Sequence, residues 1–389
     1  MTSLTGKLNY SIVPDHAYQA CTRCIMDTVA DRAITFDDGG LCCHCLRYDK
    51  LVSARHVAGE HGRDALCRLV ERIKAAGRKN EYDCLIGVSG GVDSTYVAWL
   101  VKQHGLRPLA VHFDNGWNSE LATRNIERVL RNIGIDLYTY VVDWEEFRDI
   151  QLAFLKGSTP DGEIPTDHAI GAVLWKEAAS RGIKYIISGM NFATESISVP
   201  GWSYGHSDWR YIKDTHRIFG KVKLKTYPHF SLGYLFYANA VRRIRMVSIL
   251  NYVHYDKEQA IELLRSQLDW KDYGGKHHES IYTRFFQGYV LPRKFGIDKR
   301  YGHLSDLINA SQISRAQALA EMQRPPYAEE LQQQDLIYVS KKLQLSPQQF
   351  HEIMHTPVKS FRDYRNLYEP VQLLRNTVNW LRKHQLYPR

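Results

Sequence analysis

The chain has 389 residues, 44% apolar and 24% charged, which suits a globular protein with two or three cores and excludes a disordered chain. Lys plus Arg number 51 against 42 for Asp plus Glu, and the resulting +9 favours an anionic partner without choosing one. The first ten residues lack the apolar core of an export signal, and the most apolar later run, 232–253, is interrupted by Arg242, Arg243 and Arg245. Each such charge costs roughly 2.5–3.5 kcal/mol at the centre of a membrane span. A cytoplasmic protein with no membrane span is the expectation.

Five of the seven cysteines fall within residues 21–45. Cys21-Thr-Arg-Cys24, seventeen intervening residues and then Cys42-Cys-His-Cys45 have the spacing of a structural zinc site. Two CxxC turns complete a tetrahedral shell with no open position, so the expected role of Cys21, Cys24, Cys42 and Cys45 is folding, in a segment too short for its own core. Cys43 or His44 could replace a ligand, and an iron–sulfur cluster is the competing metal centre. Cys67 and Cys84 fall on apolar helix and strand positions and are expected in the core.

From 63 to 190, short apolar runs alternate with amphipathic stretches. The pattern predicts strands at 83–88, 108–113, 137–142 and 184–188, and helices at 65–76, 94–104, 121–133 and 169–181. Right-handed crossovers then give an α/β fold, a parallel sheet with helices on both faces and ligands at the carboxyl ends of the strands. Residues 191–217, rich in Trp, Tyr, Gly and Ser, read as a loop or lid; 232–264 reads as mostly helical, and 274–300 has no clear period. From 305 onward the chain reads as helical, broken at Arg324-Pro325-Pro326 and restarted at Ser346-Pro347. The expected domains are 1–62 with the cysteines, 63–304 with the sheet, and 305–389.

Ser89-Gly90-Gly91-Val92-Asp93-Ser94 ends the first strand and opens a helix. Two glycines allow a tight turn and close backbone approach to an anion, while two hydroxyls and the helix N-terminus converge on the same point. This is a phosphate cradle without the Walker A pattern. It resembles the PP-loop of the N-type ATP pyrophosphatases, whose fold is that of the adenine nucleotide alpha hydrolases. The resemblance implies that Ser89, Gly90, Gly91, Asp93 and Ser94 hold pyrophosphate with Mg²⁺, that Asp114 sits by the reaction centre or metal, and that Gly189 lies against adenosine. Asp93 could equally be a first-turn carboxylate favoured by the helix dipole.

The segments CTRCIMDT (21–28), HFDNGWNS (112–119), IPTDHAI (164–170), ISGMNFATES (187–196) and YGGKHHESIYTRFFQGYVLPRKFGIDKR (273–300) extend the likeness. Together they resemble the N-acetyl sugar amidotransferases of surface-polysaccharide biosynthesis, in lipopolysaccharide O-antigen or in pseudaminic and legionaminic acid pathways. That implies ATP-dependent conversion of a sugar N-acetyl group to an acetamidino group. Adenylation turns the amide oxygen into a leaving group, and ammonia displaces AMP. Asp93, Asp114, Lys276, Asp167 and Glu195 are the candidate catalytic residues. Gly274-Gly275-Lys276 repeats the close-approach logic of the first loop and is the preferred further phosphate contact.

Two basic segments, 205–225 and 271–300, suit a sugar-nucleotide diphosphate or a sugar carboxylate, or simply form a solvated face. His168, Asn191, Trp202, His277 and Arg284 are the candidate substrate contacts, with Glu279, Tyr204 and Trp209 beside them. The aromatic residues stack on ligand or pack a lid. Asp167, with Thr166 and His168 in the loop before a helix, serves as a cap or approaches the acetamido group or ammonia. Glu195 binds Mg²⁺ or a sugar hydroxyl. No cysteine sits in a glutaminase-like elbow, so the resemblance implies separate glutaminase and barrel subunits, similar to those of imidazole glycerol phosphate synthase, and no nucleic acid. The alternative is tRNA thiolation, which also joins such a loop to zinc knuckles.

Overall fold

The computed structural model describes residues 17–55, 59–275 and 278–383. Helix α1 (Cys43–Arg55) follows the cysteine segment, and α2 (Gly59–Gly77) leads into the sheet. The next elements are β1 (Cys84–Gly87), α3 (Val92–Gln103), β2 (Pro108–Asp114), α4 (Glu120–Ile133), β3 (Asp136–Val141), α5 (Trp144–Gly157), α6 (Ile164–Ser180) and β4 (Tyr185–Ser188). All four expected strands are present, within a residue or two of their predicted ends. Local chemistry explains the boundaries. Ser119 caps α4 by accepting from the Ala122 N–H, and Gly134 ends it in the left-handed region at φ 63°. Asp143 caps α5 in the same way through the Glu146 N–H.

The strands run parallel in the order β3-β2-β1-β4, with a fifth, β5 (Arg245–Ser248), beside β4. Alternation along the strands divides the core. Leu85, Leu109, Val111, Phe113 and Ile186 face one layer, with α5 and α6 residues such as Phe147, Phe154 and Val173. Cys84, Ile86, Ala110 and Ile187 face the other, with Leu69, Ile73, Val97 and Leu130. Each such side chain contributes about 1.5–3 kcal/mol on burial. The chain proceeds from β1 to β2 and β3 on one side and then returns to β4 and β5 on the other. The crevice beyond the carboxyl ends of β1 and β4 is therefore the switch point of the sheet.

The expected lid is partly helical, with α7 (Phe192–Glu195) and α8 (Trp209–Phe219), the latter capped by Asp208 accepting from Tyr211 N–H. Residues 232–264 are helical over most of their length, as expected, but a strand interrupts them. They hold α9 (Leu232–Phe236), a π-helical turn (Tyr237–Val241), β5, a 3-10 turn (Ile249–Tyr252) and the start of α10 (Lys257–Leu268). A four-residue edge strand with Arg245 and Met246 exposed carries too little apolar period to announce itself; pairing with β4 decides it. The stretch 274–300 contains α11 (Ile281–Phe285) and a long π-helical segment (Phe286–Phe295). Then come α12 (Arg300–Asn309), α13 (Arg315–Met322), α14 (Glu329–Lys342), α15 (Pro347–His355) and α16 (Tyr368–Lys383). Pro325-Pro326 separates α13 from α14, and Ser346 caps α15 in a capping box with Pro347 in its first turn. The expected boundaries at 62/63 and 304/305 fall inside α2 and α12. Among the described residues no helix is long and apolar enough to cross a membrane.

Candidate functional site

At the switch point lies a cleft of two adjoining lobes, with cavity volumes of about 460 and 370 Å³. Ser89, Ser94, Ser188, Gly189 and Glu279 border both. The first lobe has an apolar floor of Val88, Val111, Phe113, Val173, Leu174 and Ile187 and a polar wall that includes Asn115, Asn118, Glu163, Asp167 and Lys299. The second is lined by Gly91, Asp93, Glu195, Lys257 and Tyr273. An apolar slot opening onto a polar chamber is the usual build of a small-molecule site.

The glycine turn after β1 divides the lobes. Ser94 Oγ accepts from the Ser89 N–H at 3.3 Å and lies 3.2 Å from Gly91 O, while the Gly91 N–H donates to Ser89 Oγ at 3.3 Å. Helix α3 starts after Gly91 with no side-chain cap, so its first N–H groups face the cleft. Gly189 meets this helix from the end of β4: a Cβ there would stand 3.3 Å from the Asp93 carbonyl carbon. Asp93 accepts a hydrogen bond from Tyr255. Burial first, and then the Asp93 charge, hold that hydroxyl protonated far above the usual tyrosine range.

Asp167 is in the first turn of α6, not in a loop before it, and does not cap the helix, whose N-cap is Glu163. Its carboxylate lies 3.3 Å from His206 Nε2. Burial opposes the charge on His206, but Asp167 more than offsets that and raises its pKa. Glu163 accepts from Gln287 Nε2 at 2.7 Å. His112 donates from Nδ1 to Val88 O at 2.9 Å, which leaves Nε2 to accept from Asn118 Nδ2, also at 2.9 Å.

Several expected contacts stand elsewhere. His168 is fully buried; its Nδ1 donates to His206 O at 2.9 Å and its Nε2 accepts from Phe230 N–H at 3.2 Å, so the ring is consumed by packing. Trp202 packs against the cysteine cluster and donates to Ala30 O at 3.1 Å. Tyr204 stacks on Phe361 and Trp209 on His229, so both hold the lid together. Arg284 forms a bidentate pair with Asp335 at 2.7 and 2.8 Å. Asn191 caps α7 through the Thr194 N–H at 2.9 Å. Asp114 turns back to accept from Gly116 N–H at 2.8 Å and does not line the cleft; Asn115 and Asn118 occupy that rim. The basic residues of 205–225 line neither lobe. Lys276 and His277 lie outside the described residues.

Lys257, Tyr255, Glu163 and Lys299 were not singled out from sequence. They come from three distant segments: Glu163, Lys257 and Lys299 line the cleft, and Tyr255 meets it through Asp93. Asn115 and Asn118 did lie in a motif already noted, HFDNGWNS. Glu279 arrives by a short antiparallel bridge: Ser119 N–H donates to Glu279 O and Ile281 N–H to Trp117 O, both at 2.9 Å.

Cys21, Cys24, Cys42 and Cys45 are all buried, with their sulfurs within 4.8 Å of one another. Cys21 and Cys45 Sγ are 3.9 Å apart and Cys24 and Cys42 Sγ 3.7 Å. Thiolates at about 2.3 Å around a tetrahedral ion stand roughly 3.8 Å apart, so the donor set fits zinc. Backbone N–H groups of Arg23, Met26 and Cys42 approach these sulfurs at 3.4 Å, as they do around thiolate ligands. Cys43 is outside the set, and His44 is occupied by Asp31 at 2.8 Å. Of the two thiols expected in the core, Cys84 is buried but Cys67 is exposed on the outer face of α2.

The segment that closes the cleft also aligns with known proteins. Residues 279–377 match the C-terminal domain of LPS biosynthesis proteins of the WbpG-like kind. The chain carries a WbpG-like C-terminal domain. Its first residues are those that bridge to HFDNGWNS, and its α14 sends Lys342 to Gly116 O and over the Trp117 and Trp144 rings. The WbpG-like domain thus buttresses the rim that carries Asn115 and Asn118. The chain is also similar to the glutamine-hydrolysing GMP synthase of Pyrobaculum aerophilum, 40% identical over 85 residues, 22% of this chain and 16% of that protein. It is also similar to the tRNA(Ile)-lysidine synthase of Chlamydia pneumoniae, 34% identical over 70 residues, 18% of this chain and 22% of that protein. The chain therefore spans about a fifth of the length of these curated relatives. Among solved structures it is similar to NMN synthetase from Francisella tularensis, at 18% identity and a TM-score of 0.36, covering 73% of this chain and 97% of that one.

Proposed function

We propose that this protein is an ATP-dependent amidotransferase that converts the N-acetyl group of an anionic sugar or nucleotide sugar to an acetamidino group in surface-glycan biosynthesis. The observation that carries the reading is one continuous cleft. Between its lobes lie a two-glycine anion turn and an open helix N-terminus, and along the first lobe runs a wall of carboxylates and carboxamides. The WbpG-like domain along its rim supports a place in lipopolysaccharide biosynthesis.

In this reading ATP lies with its base on the apolar floor of the first lobe and its outer phosphates at Ser89, Gly90, Gly91 and Ser94. Asp93 and Glu195, which border the second lobe, would hold Mg²⁺, and that ion would neutralise charge on the departing pyrophosphate. The amide oxygen of the sugar attacks the α-phosphorus and the bond to pyrophosphate breaks. Ammonia then adds to the imidate carbon, AMP departs with the former amide oxygen, and Asp167 or Glu163 receives the proton ammonia sheds. Zinc at the four cysteines is structural, and ammonia comes from separate glutaminase and barrel subunits.

The test is pyrophosphate release with candidate sugar nucleotides, with and without ammonium, followed by mass spectrometry of the sugar. An amide replaced by an amidine, about 1 Da lighter from exchange of O for NH, supports the reading; ammonium-independent turnover or an unchanged sugar sinks it. A second reading, tRNA modification, draws on the likeness to the lysidine synthase. Its thiolation form needs a reactive cysteine, and none lines either lobe among the described residues. Cys84 is buried in β1, where burial pushes its thiol up. A tRNA product in the same assay would favour that alternative.

A further inference from the structure

The glycine turn that opens onto the cleft is also held from behind. Gly90 is buried at φ +84°, and a Cβ there would lie 2.8 Å from Tyr273 Oη and 3.0 Å from Ala122 O. Its carbonyl oxygen accepts two hydrogen bonds from the stretch after α10, one from Trp270 Nε1 at 2.8 Å and one from Tyr273 Oη at 2.8 Å.

The direction of these bonds follows from Asn125 on α4. The Lys271 N–H can only donate, and it does so to Asn125 Oδ1 at 3.1 Å. That leaves Asn125 Nδ2 to donate to Lys271 O at 2.7 Å and to Tyr273 Oη at 2.9 Å. With its oxygen already accepting, the single hydroxyl proton of Tyr273 is committed to Gly90.

A Gly-Gly peptide has little steric preference between its two orientations. In a trans peptide the C=O and N–H point in opposite directions, and the chain has no cis bonds among the described residues. Fixing the Gly90 carbonyl toward Trp270 and Tyr273 therefore turns the Gly91 N–H the other way, to Ser89 Oγ and the second lobe. We propose that Trp270 and Tyr273 are positioning residues that lock the Gly90–Gly91 peptide in its anion-receiving orientation before any nucleotide arrives. This rests on the reading of the turn as a pyrophosphate cradle. It adds that the cradle is set by a segment remote from it in sequence.

The test is calorimetric titration of the full chain with magnesium pyrophosphate and, separately, with AMP. The variants are Tyr273→Phe, Trp270→Phe and the double substitution, each checked for folding by circular dichroism and thermal midpoint. Loss of one hydrogen bond to the carbonyl should weaken pyrophosphate about fivefold, the double change more than about tenfold, and AMP by less than about twofold. If the double variant does not fold, Tyr273→Phe, which removes one oxygen, decides alone. Unchanged pyrophosphate affinity in a folded variant overturns the lock, as does an equal loss for AMP. A parent chain that binds no magnesium pyrophosphate overturns both the cradle and the lock.

Discussion

Asp93 combines two demands at one carboxylate: it borders the second lobe and accepts the Tyr255 hydroxyl. Replacing it by Ala leaves a buried hydroxyl without that acceptor and removes charge from the site at once. We expect Asp93→Ala and Ser94→Ala each to lower pyrophosphate release by more than about 100-fold, with far-ultraviolet circular dichroism unchanged. Normal rates in both would discard the site assignment. Gly90 is constrained differently. A side chain there meets Tyr273 Oη and the Ala122 carbonyl at a backbone conformation that L residues rarely adopt. Gly90→Ala should cost about 1–3 kcal/mol in urea unfolding, mostly from strain at the turn.

Helix α6 carries both sides of the chemistry and the packing. Asp167 faces the first lobe, while His168, one residue on, is sealed beneath the lid by Trp209 and Phe230. Burial lowers the His168 pKa to about 4. The unfolded chain therefore binds the proton that the folded chain refuses, and stability falls as pH drops from about 6.5 to about 4. The full difference is about 3 kcal/mol. In His168→Gln that share of the acid sensitivity should vanish when unfolding midpoints at pH 7 and pH 4.5 are compared; an unaltered slope would remove His168 as its source. Helix α14 is joined to α11 by the Arg284–Asp335 pair, in which both side chains are buried or nearly so. Asp335→Ala strands the guanidinium and should cost about 3–5 kcal/mol. Since α11 follows directly on the Glu279 bridge, affinity for the sugar substrate proposed above should weaken as well.

Across the whole molecule the cysteine cluster is tied to the cleft through α12. Ser305 Oγ accepts from Ile25 N–H at 3.3 Å, and Asn309 Oδ1 lies 3.3 Å from Cys45 Sγ. On the same helix Asp306 accepts from Ser196 Oγ at 2.5 Å and from Ile197 N–H, immediately after Glu195. An ion held at the knuckles would thus brace the loop beyond β4. Cys24→Ser should lower metal content, measured by elemental analysis, and reduce thermal stability. Pyrophosphate release should fall with it, because Glu195 loses its support. Full activity in a metal-free, folded variant would separate the cluster from the site.

The sequence by itself determined the alternation of strands and helices, the four-cysteine spacing and the glycine turn. Each of these is a local pattern: side-chain period, ligand spacing and the conformational freedom of glycine all act over a few residues. Its reading of His168, Trp202, Arg284 and Asn191 as substrate contacts did not survive, because polarity and aromaticity do not say whether a side chain meets a ligand or a neighbour. Tertiary structure alone decided that β5 joins the sheet edge, that Glu163, Lys257 and Lys299 line the cleft, that Tyr255 meets Asp93, and that Trp270 and Tyr273 stand behind Gly90. The last of those relations links positions 183 residues apart. Only the packing of the two sheet faces brings them within hydrogen-bonding reach.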